Sequence, residues 1–162
     1  MAKKKPIVTN AMRLLSAAKI PFDVVEYEAE EVGDNFGVYI AELTGIPPER
    51  SFKTLVARGN DIMAVCVPVA CEVDLKKLAQ ASGNKKVELI AVKELLGLTG
   101  YIRGGVSPIG MKKKYPTYIH ESCLSFEKVA VSAGICGATL LLSPKDLITI
   151  CDAKTFDIIK EN

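Results

Sequence analysis

The sequence predicts a single mixed α+β domain, and three observations carry that prediction. The chain has 162 residues, of which 49% are hydrophobic and 25% charged, a balance that suits one domain with one substantial core. Short β-branched or apolar runs alternate irregularly with short helical patterns. Some of those runs are separated by little more than a hairpin turn, which argues against a simple parallel βαβ array and leaves a closed or nearly closed sheet as an architecture.

Each element has a local reason. Thr9 caps a helix carrying Met12, Leu15 and Ala18, and Pro21 stops it. Residues 22–27, Phe-Asp-Val-Val-Glu-Tyr, read as a strand. A helix over residues 38–43 ends at Gly45 and the Pro47-Pro48 turn. Strands over residues 51–57 and 62–67 flank a hairpin turn, Arg58-Gly59-Asn60-Asp61. Asp74 caps a helix over residues 75–81, closed by Gly83-Asn84. Residues 87–90 form a short strand and 92–96 about one helical turn. Residues 115–120, 129–132 and 138–142 are further strands, giving seven. Ser143-Pro144-Lys145-Asp146 starts a helix, with a further helical stretch expected near Lys154.

Composition excludes several classes of function. The formal net charge is +2, so a nucleic-acid surface must come from local clustering rather than overall charge. No apolar run is long enough to cross a bilayer. Residues 1–8 form a basic tail without the apolar stretch of a signal peptide, which places the protein in the cytoplasm, with no membrane partner. The five cysteines include no C-x-x-C pair and fit neither a disulfide framework nor a zinc ribbon; buried, reduced thiols are expected. His120 is the only histidine, so a histidine-rich metal site is excluded and no metal or other cofactor is expected. Any catalysis must lean on backbone groups, lysine or the substrate.

Four features could carry chemistry. Lys53 stands within the apolar strand Phe52-Lys53-Thr54-Leu55-Val56, where it either enters a pocket or faces water from an edge strand. Residues 97–110 hold five glycines and Pro108 with few core-forming residues; such a loop can wrap a ligand and present N–H donors to a developing oxyanion, or merely turn tightly. It matches neither a P-loop nor a dinucleotide fingerprint. Lys112-Lys113-Lys114, followed by Tyr115 and Tyr118, offers charge for phosphates and rings for bases, or a solvated turn. Ser132, in Val131-Ser132-Ala133-Gly134, lacks the nucleophile-elbow pattern and reads as a binding or turn hydroxyl.

The order of these runs is more specific than any one of them. The chain resembles the YbaK/EbsC family of aminoacyl-tRNA deacylases, which is similar to the editing domain of bacterial prolyl-tRNA synthetases. The runs are Ala11-Met12-Arg13-Leu14-Leu15, Asn35-Phe36-Gly37, Phe52-Lys53-Thr54-Leu55, Val73-Asp74-Leu75-Lys76-Lys77, Thr99-Gly100-Tyr101 through Pro108, and Asp152-Ala153-Lys154. The resemblance implies a mixed, mostly antiparallel β-barrel of about six to seven strands flanked by helices, spanning residues 9–162. It implies a mischarged tRNA reached through its CCA end, typically proline tRNA bearing cysteine, with alanine cleared by other branches, and it allows prolyl-tRNA synthetase as a partner; DNA is not one.

Family positions fall on Lys53, Gly104 and Gly105 as catalytic groups and on Tyr27, Phe36, Thr54, Ser132 and Thr139 as substrate-binding groups; Lys112, Lys113 and Lys114 are the expected tRNA contacts. Thr139 stands where YbaK-like members carry an acid, which opens the choice of amino acid. The implied mechanism uses the substrate's own thiol to attack its ester, with Lys53 anchoring the terminal adenosine or its phosphate and the Gly104 and Gly105 N–H groups holding the oxyanion. Two other roles stand beside it: a non-catalytic module that holds an aminoacyl end or nucleotide, and a cell-envelope or regulatory role.

Overall fold

A computed structural model describes residues 7–29, 33 and 35–161; most of the basic tail expected over residues 1–8 lies outside that range. The element order is α1 (Asn10–Ala17), β1 (Asp23–Glu26), α2 (Phe36–Thr44), β2 (Phe52–Arg58), β3 (Ile62–Pro68), α3 (Leu75–Ser82), β4 (Glu88–Leu89), α4 (Leu95–Thr99), β5 (Thr117–His120), β6 (Val129–Ser132), β7 (Ala138–Leu142), α5 (Pro144–Cys151) and β8 (Lys154–Phe156). Among the described residues no helix is long and apolar enough to cross a membrane.

The strands form two sheets. One has the order β1-β7-β6, all antiparallel; the other has the order β4-β2-β3-β5-β8. Within the larger sheet β2 pairs antiparallel with β3 and β4, whereas β3-β5 and β5-β8 run parallel. A single parallel bridge, Ser51 to Ala130, joins the start of β2 to β6. The expected barrel is therefore, among the described residues, two sheets with β1, β4 and β8 as open edges. β4 pairs through two residues only, too few to carry the ladder round.

Strand parity distributes the core. Phe52, Cys66 and Ile119 face a cluster with α1, α5 and the smaller sheet, where Leu15, Leu140 and Leu147 are fully buried. The opposite parity, Val65, Val67 and Tyr118, packs under Leu78 of α3 and Ile158. A third, smaller cluster of Val56, Tyr101 and Val106 lies under the glycine-rich segment. The helix ends follow the expected chemistry: Thr9 Oγ1 accepts from the Met12 N–H at 3.2 Å, and Asp74 Oδ1 accepts from the N–H groups of Lys76 and Lys77.

Three expectations change. The chain beyond Asp152 is strand β8 rather than a restarted helix. Asp152 takes φ 51° and ends α5 in the left-handed region, after which Lys154–Phe156 extend in register with Tyr118–His120. Ser143 makes no side-chain cap bond; Pro144 and Asp146 begin α5 instead. The segment over residues 97–110 is not a loosely packed wrap: residues 105–109 are all buried, Ser107 completely. Gly, Ser and Pro fill this space with backbone, which a search for apolar side chains does not register.

Candidate active site

A cavity of about 530 Å³ lies between β2, α2, the β6-β7 wall and the glycine-rich segment. Tyr27, Phe36, Lys53, Thr54, Gly104, Ser132 and Thr139 all line it. Gly105 does not, and Lys112, Lys113 and Lys114 are exposed residues outside the lining, Lys114 lying 3.8 Å from Asp152.

Lys53 is the second residue of β2, at the open end of the β2-β3 hairpin and opposite Val67. Its neighbours Phe52 and Val56 are buried anchors, so the strand holds the lysine stem in place. Burial, the largest effect, pulls the ammonium's pKa below that of an ordinary lysine, against weaker opposite pulls from Glu72 and Cys71. Glu72 is itself committed to Lys160 at 3.0 Å. Among the described residues no hydrogen bond or ion pair holds the Lys53 ammonium, an arrangement that favours an anionic or carbonyl ligand. Thr54, also in the lining, has its hydroxyl 3.7 Å from the Cys66 sulfur.

Phe36 enters because α2 can lie very close to the exit of β3. A Cβ on Gly37 would stand 2.7 Å from Val69 Cγ1, so only glycine permits that approach. The glycine-rich segment is clamped by Tyr101, which is 7% exposed and whose hydroxyl donates to the carbonyls of Ile109 at 2.6 Å and Gly110 at 3.2 Å. Gly134, at φ 101°, lets the turn after β6 cross the ring face, since a Cβ there would meet Tyr101 Cε1 at 2.7 Å.

The paired glycines separate in role. A Cβ on Gly105 would stand 2.8 Å from the Ile135 carbonyl carbon, and its N–H already donates to Ile102 O at 2.9 Å. Gly105 is a packing and turn residue, not an available oxyanion donor. Gly104, at φ 89°, borders the cavity, and among the described residues its N–H makes no hydrogen bond.

The β6-β7 wall supplies shape. Ser132 Oγ accepts from the Gly134 N–H at 3.1 Å, and Thr139 Oγ1 donates to Val131 O at 2.8 Å. Burial raises the Tyr27 phenol's pKa; a backbone hydrogen bond at Gly137 opposes this, and the Cys136 thiol adds to it. His120 is nowhere in the lining. It is buried between β5 and the C-terminal segment, its Nδ1 accepting from the Ile158 N–H at 3.3 Å. Burial is also the main cause lowering its pKa, opposed by Asp157. It therefore activates nothing in this cavity.

All five cysteines are free thiols. Burial raises Cys66 to about 12 and Cys123 to about 11, and drives Cys151 upward as well, which makes them inert packing groups. The expectation of burial fails at Cys136, which is exposed, and only partly holds at Cys71. Among the described residues no cluster of three or more potential metal ligands occurs.

Sequence reasoning missed the apolar end of the cavity: Leu89, Ile90, Val92 and Leu95, with Arg103 nearby in the lining. The signal was present. Residues 87–96 hold six large aliphatic side chains in a stretch too short to bury them all.

A crystal structure described as a candidate trans-editing enzyme for prolyl tRNA synthetase matches with TM-score 0.80 and 24% identity, covering 96% of this chain and 100% of that one. Hypothetical protein APE2540 matches with TM-score 0.83 and 23% identity over 94% of this chain and 100% of its own. These two likenesses concern the fold.

The chain belongs to the aminoacyl-tRNA editing domain family, which matches residues 38–150. A protein of Enterococcus faecalis (strain ATCC 700802 / V583) with the provisional name Cys-tRNA(Pro)/Cys-tRNA(Cys) deacylase EbsC is 45% identical over 163 residues, 98% of each chain. Proline--tRNA ligase 1 of Streptomyces avermitilis is 36% identical over 75 residues, 46% of this chain but 13% of the ligase.

Proposed function

We propose that this protein is a trans-acting deacylase that removes cysteine from mischarged proline tRNA. The observation that carries the reading is the Lys53 ammonium, which no hydrogen bond or ion pair holds among the described residues, in the same cavity as the Gly104 N–H. Membership of the editing family and the name of the Enterococcus relative support it. The ester of the terminal adenosine enters the cavity, Lys53 grips the adenosine's phosphate or the ester carbonyl, and Gly104 N–H meets the oxygen that gains charge. Gly105 acts indirectly, by fixing Gly104.

The cavity's serine and threonine hydroxyls are hydrogen-bonded to backbone or beside a thiol, and no histidine borders them. A protein nucleophile is therefore absent from the proposal. The cysteinyl thiol attacks its own carbonyl carbon: the S–C bond forms, the C–O bond to ribose breaks, and the thiol proton goes to the leaving ribose oxygen. The ring closure is intramolecular, so orientation supplies much of the rate. Tyr27, Phe36, Thr54, Ser132 and Thr139 shape the acyl and ribose space, and Lys112, Lys113 and Lys114 add charge for the RNA outside it. The protein works as one editing domain, residues 9–162, in the cytoplasm, with prolyl-tRNA synthetase as the source of its substrate.

The test is to charge proline tRNA separately with cysteine, alanine and proline and compare ester half-lives with and without protein. Selective loss of the cysteine ester supports the reading. Selective loss of alanine shifts the nucleophile to water, because alanine has no thiol. Binding without acceleration of any ester leaves a non-catalytic module.

A further inference from the structure

Lys53 shares one acid with a second lysine. Among the described residues, two cations act on the Glu72 carboxyl and hold it below the usual carboxylate range. The stronger is Lys160, whose Nζ lies 3.0 Å from Glu72 Oε2; the weaker is Lys53. In turn, Glu72 is the one described carboxylate that acts on the Lys53 ammonium, with a smaller pull from the Cys71 thiol. The acid is bonded to the lysine outside the cavity, and the lysine inside is left without a partner among the described residues.

The backbone makes this arrangement. Lys53 faces Val67, and the β2-β3 ladder ends at the next pair, Phe52 and Pro68. The Val69 N–H then donates to Ser51 O at 2.8 Å, so the chain leaving β3 stays beside the start of β2. The Cys71 N–H donates to Pro68 O at 2.9 Å, a turn that leads directly into Glu72. There the C-terminal segment arrives, and the Lys160 N–H donates to Glu72 O at 2.9 Å. Lys160 therefore meets Glu72 through backbone and side chain alike.

The segment does not need the side-chain bond to stay in place. Ile158 is fully buried, and its carbonyl accepts from the Asp74 N–H at 2.8 Å. Ile159 bridges to Val73, and its carbonyl accepts from Lys77 Nζ at 2.9 Å. The Lys160 and Glu72 side chains are 60% and 75% exposed, where an ion pair adds little to stability.

Resting on the deacylase reading, we propose that Lys160 is a positioning residue for the editing reaction: it holds Glu72 away from Lys53 and so keeps the Lys53 ammonium free for the substrate. A half-buried cation attracts an anion more strongly than one in open water does. Without Lys160, the Glu72 carboxylate has Lys53 as its one described cation. A Lys53 paired with Glu72 is withdrawn from an incoming phosphate or ester carbonyl. Neither Glu72 nor Lys160 lines the cavity, so both act through Lys53.

The experiment compares wild type with Lys160→Met, Lys160→Arg, Glu72→Gln and the double variant Lys160→Met/Glu72→Gln. Two quantities are read: kcat/KM on cysteinylated proline tRNA, and the rate at which acetic anhydride acetylates Lys53 in substrate-free protein, followed by mass spectrometry. Only the uncharged amine is acetylated, so pairing with a carboxylate slows the labelling. Lys160→Met is expected to lower both quantities about three- to fivefold, the scale of one largely exposed ion pair, and to melt close to wild type. Lys160→Arg is expected to match wild type in both. The double variant is expected to match Glu72→Gln in both, because removing the carboxylate removes the competitor.

Wild-type labelling and turnover in Lys160→Met would overturn the proposal. So would a double variant as slow as Lys160→Met, since the loss would then owe nothing to Glu72, or a Lys160→Arg as slow as Lys160→Met, since charge would then not be what matters. A wild-type protein that hydrolyses no ester is a different result: it overturns the deacylase reading and the role in turnover with it, while Lys53 labelling across the same variants still decides whether Lys160 holds Glu72 away.

Discussion

The two sides of the cavity are made of similar residues and solve opposite problems. On the β6-β7 side, Ser132 Oγ accepts from the Gly134 N–H, and Thr139 donates its hydroxyl proton to the Val131 carbonyl. On the β2 side, Lys53 is half-buried and spends its ammonium on nothing among the described residues. A satisfied wall is cheap in stability and holds a fixed outline. An unsatisfied cation costs stability and is available to a ligand. The difference teaches which side to credit with chemistry, since a group already committed to the fold has little left for a substrate.

The largest expected effect breaks the reactive side. Lys53→Ala should lower deacylation about 100- to 1,000-fold, the scale seen when one transition-state donor is lost, with thermal melting unchanged or raised. A time course on cysteinylated proline tRNA reads it, and near-wild-type activity would remove Lys53 from the mechanism. Next comes the packing that presents Gly104. Gly105→Ala forces a methyl against the Ile135 backbone at 2.8 Å, at a cost of about 1–3 kcal/mol. Calorimetry should show the melting temperature falling by about 2–4 °C for each kcal/mol, with activity dropping alongside; an unchanged melt means the turn gives way easily.

Thr139→Val probes the satisfied wall. It keeps the shape and deletes the bond to Val131, so denaturant unfolding should register a loss of about 1 kcal/mol with turnover close to wild type. A collapse of turnover would move Thr139 from the wall into the chemistry.

The smallest effect is in the pH dependence of stability. The folded pKa of Lys53 lies below its unfolded value, so carrying the proton penalises the native state at neutral pH, and the penalty fades as pH rises through the depressed pKa toward that of free lysine. Lys53→Met should therefore melt above wild type near pH 7, with the gap shrinking as pH is raised through that window. A gap that stays constant with pH would point to packing rather than charge.

Much of this was legible in the sequence, and the reasons differ by element. The β2-β3 hairpin, the Asp74 cap and strands β6 and β7 are specified locally by turn chemistry and β-branched runs, and each appears where expected. Strand β8 was not legible, because Lys154-Thr155-Phe156 carries no apolar alternation of its own and is made a strand by pairing with β5. Tyr27, Phe36 and Thr139 followed only from the resemblance to the editing family, since their residue types alone point to no cavity. The split between Gly104 and Gly105 could not, since it depends on where one N–H points after the Ile102 carbonyl has turned toward it. The apolar end of the cavity at Leu89 and Val92 escaped because exposed aliphatic residues look like misplaced core until a neighbouring cavity gives them an address.

Tyr101 carries one more consequence. Its phenol is bolted to two carbonyls and roofed by Gly134, so the pocket's outline exists before any guest arrives. A fixed outline rejects bulky guests by exclusion, without waiting for a closing motion. Discrimination and speed are then separable: loosening that bolt with Tyr101→Phe would let larger amino acids be admitted before turnover of the correct one suffers. In a proofreader, that order of failure is the dangerous one, because a sieve that widens begins to destroy correctly made product.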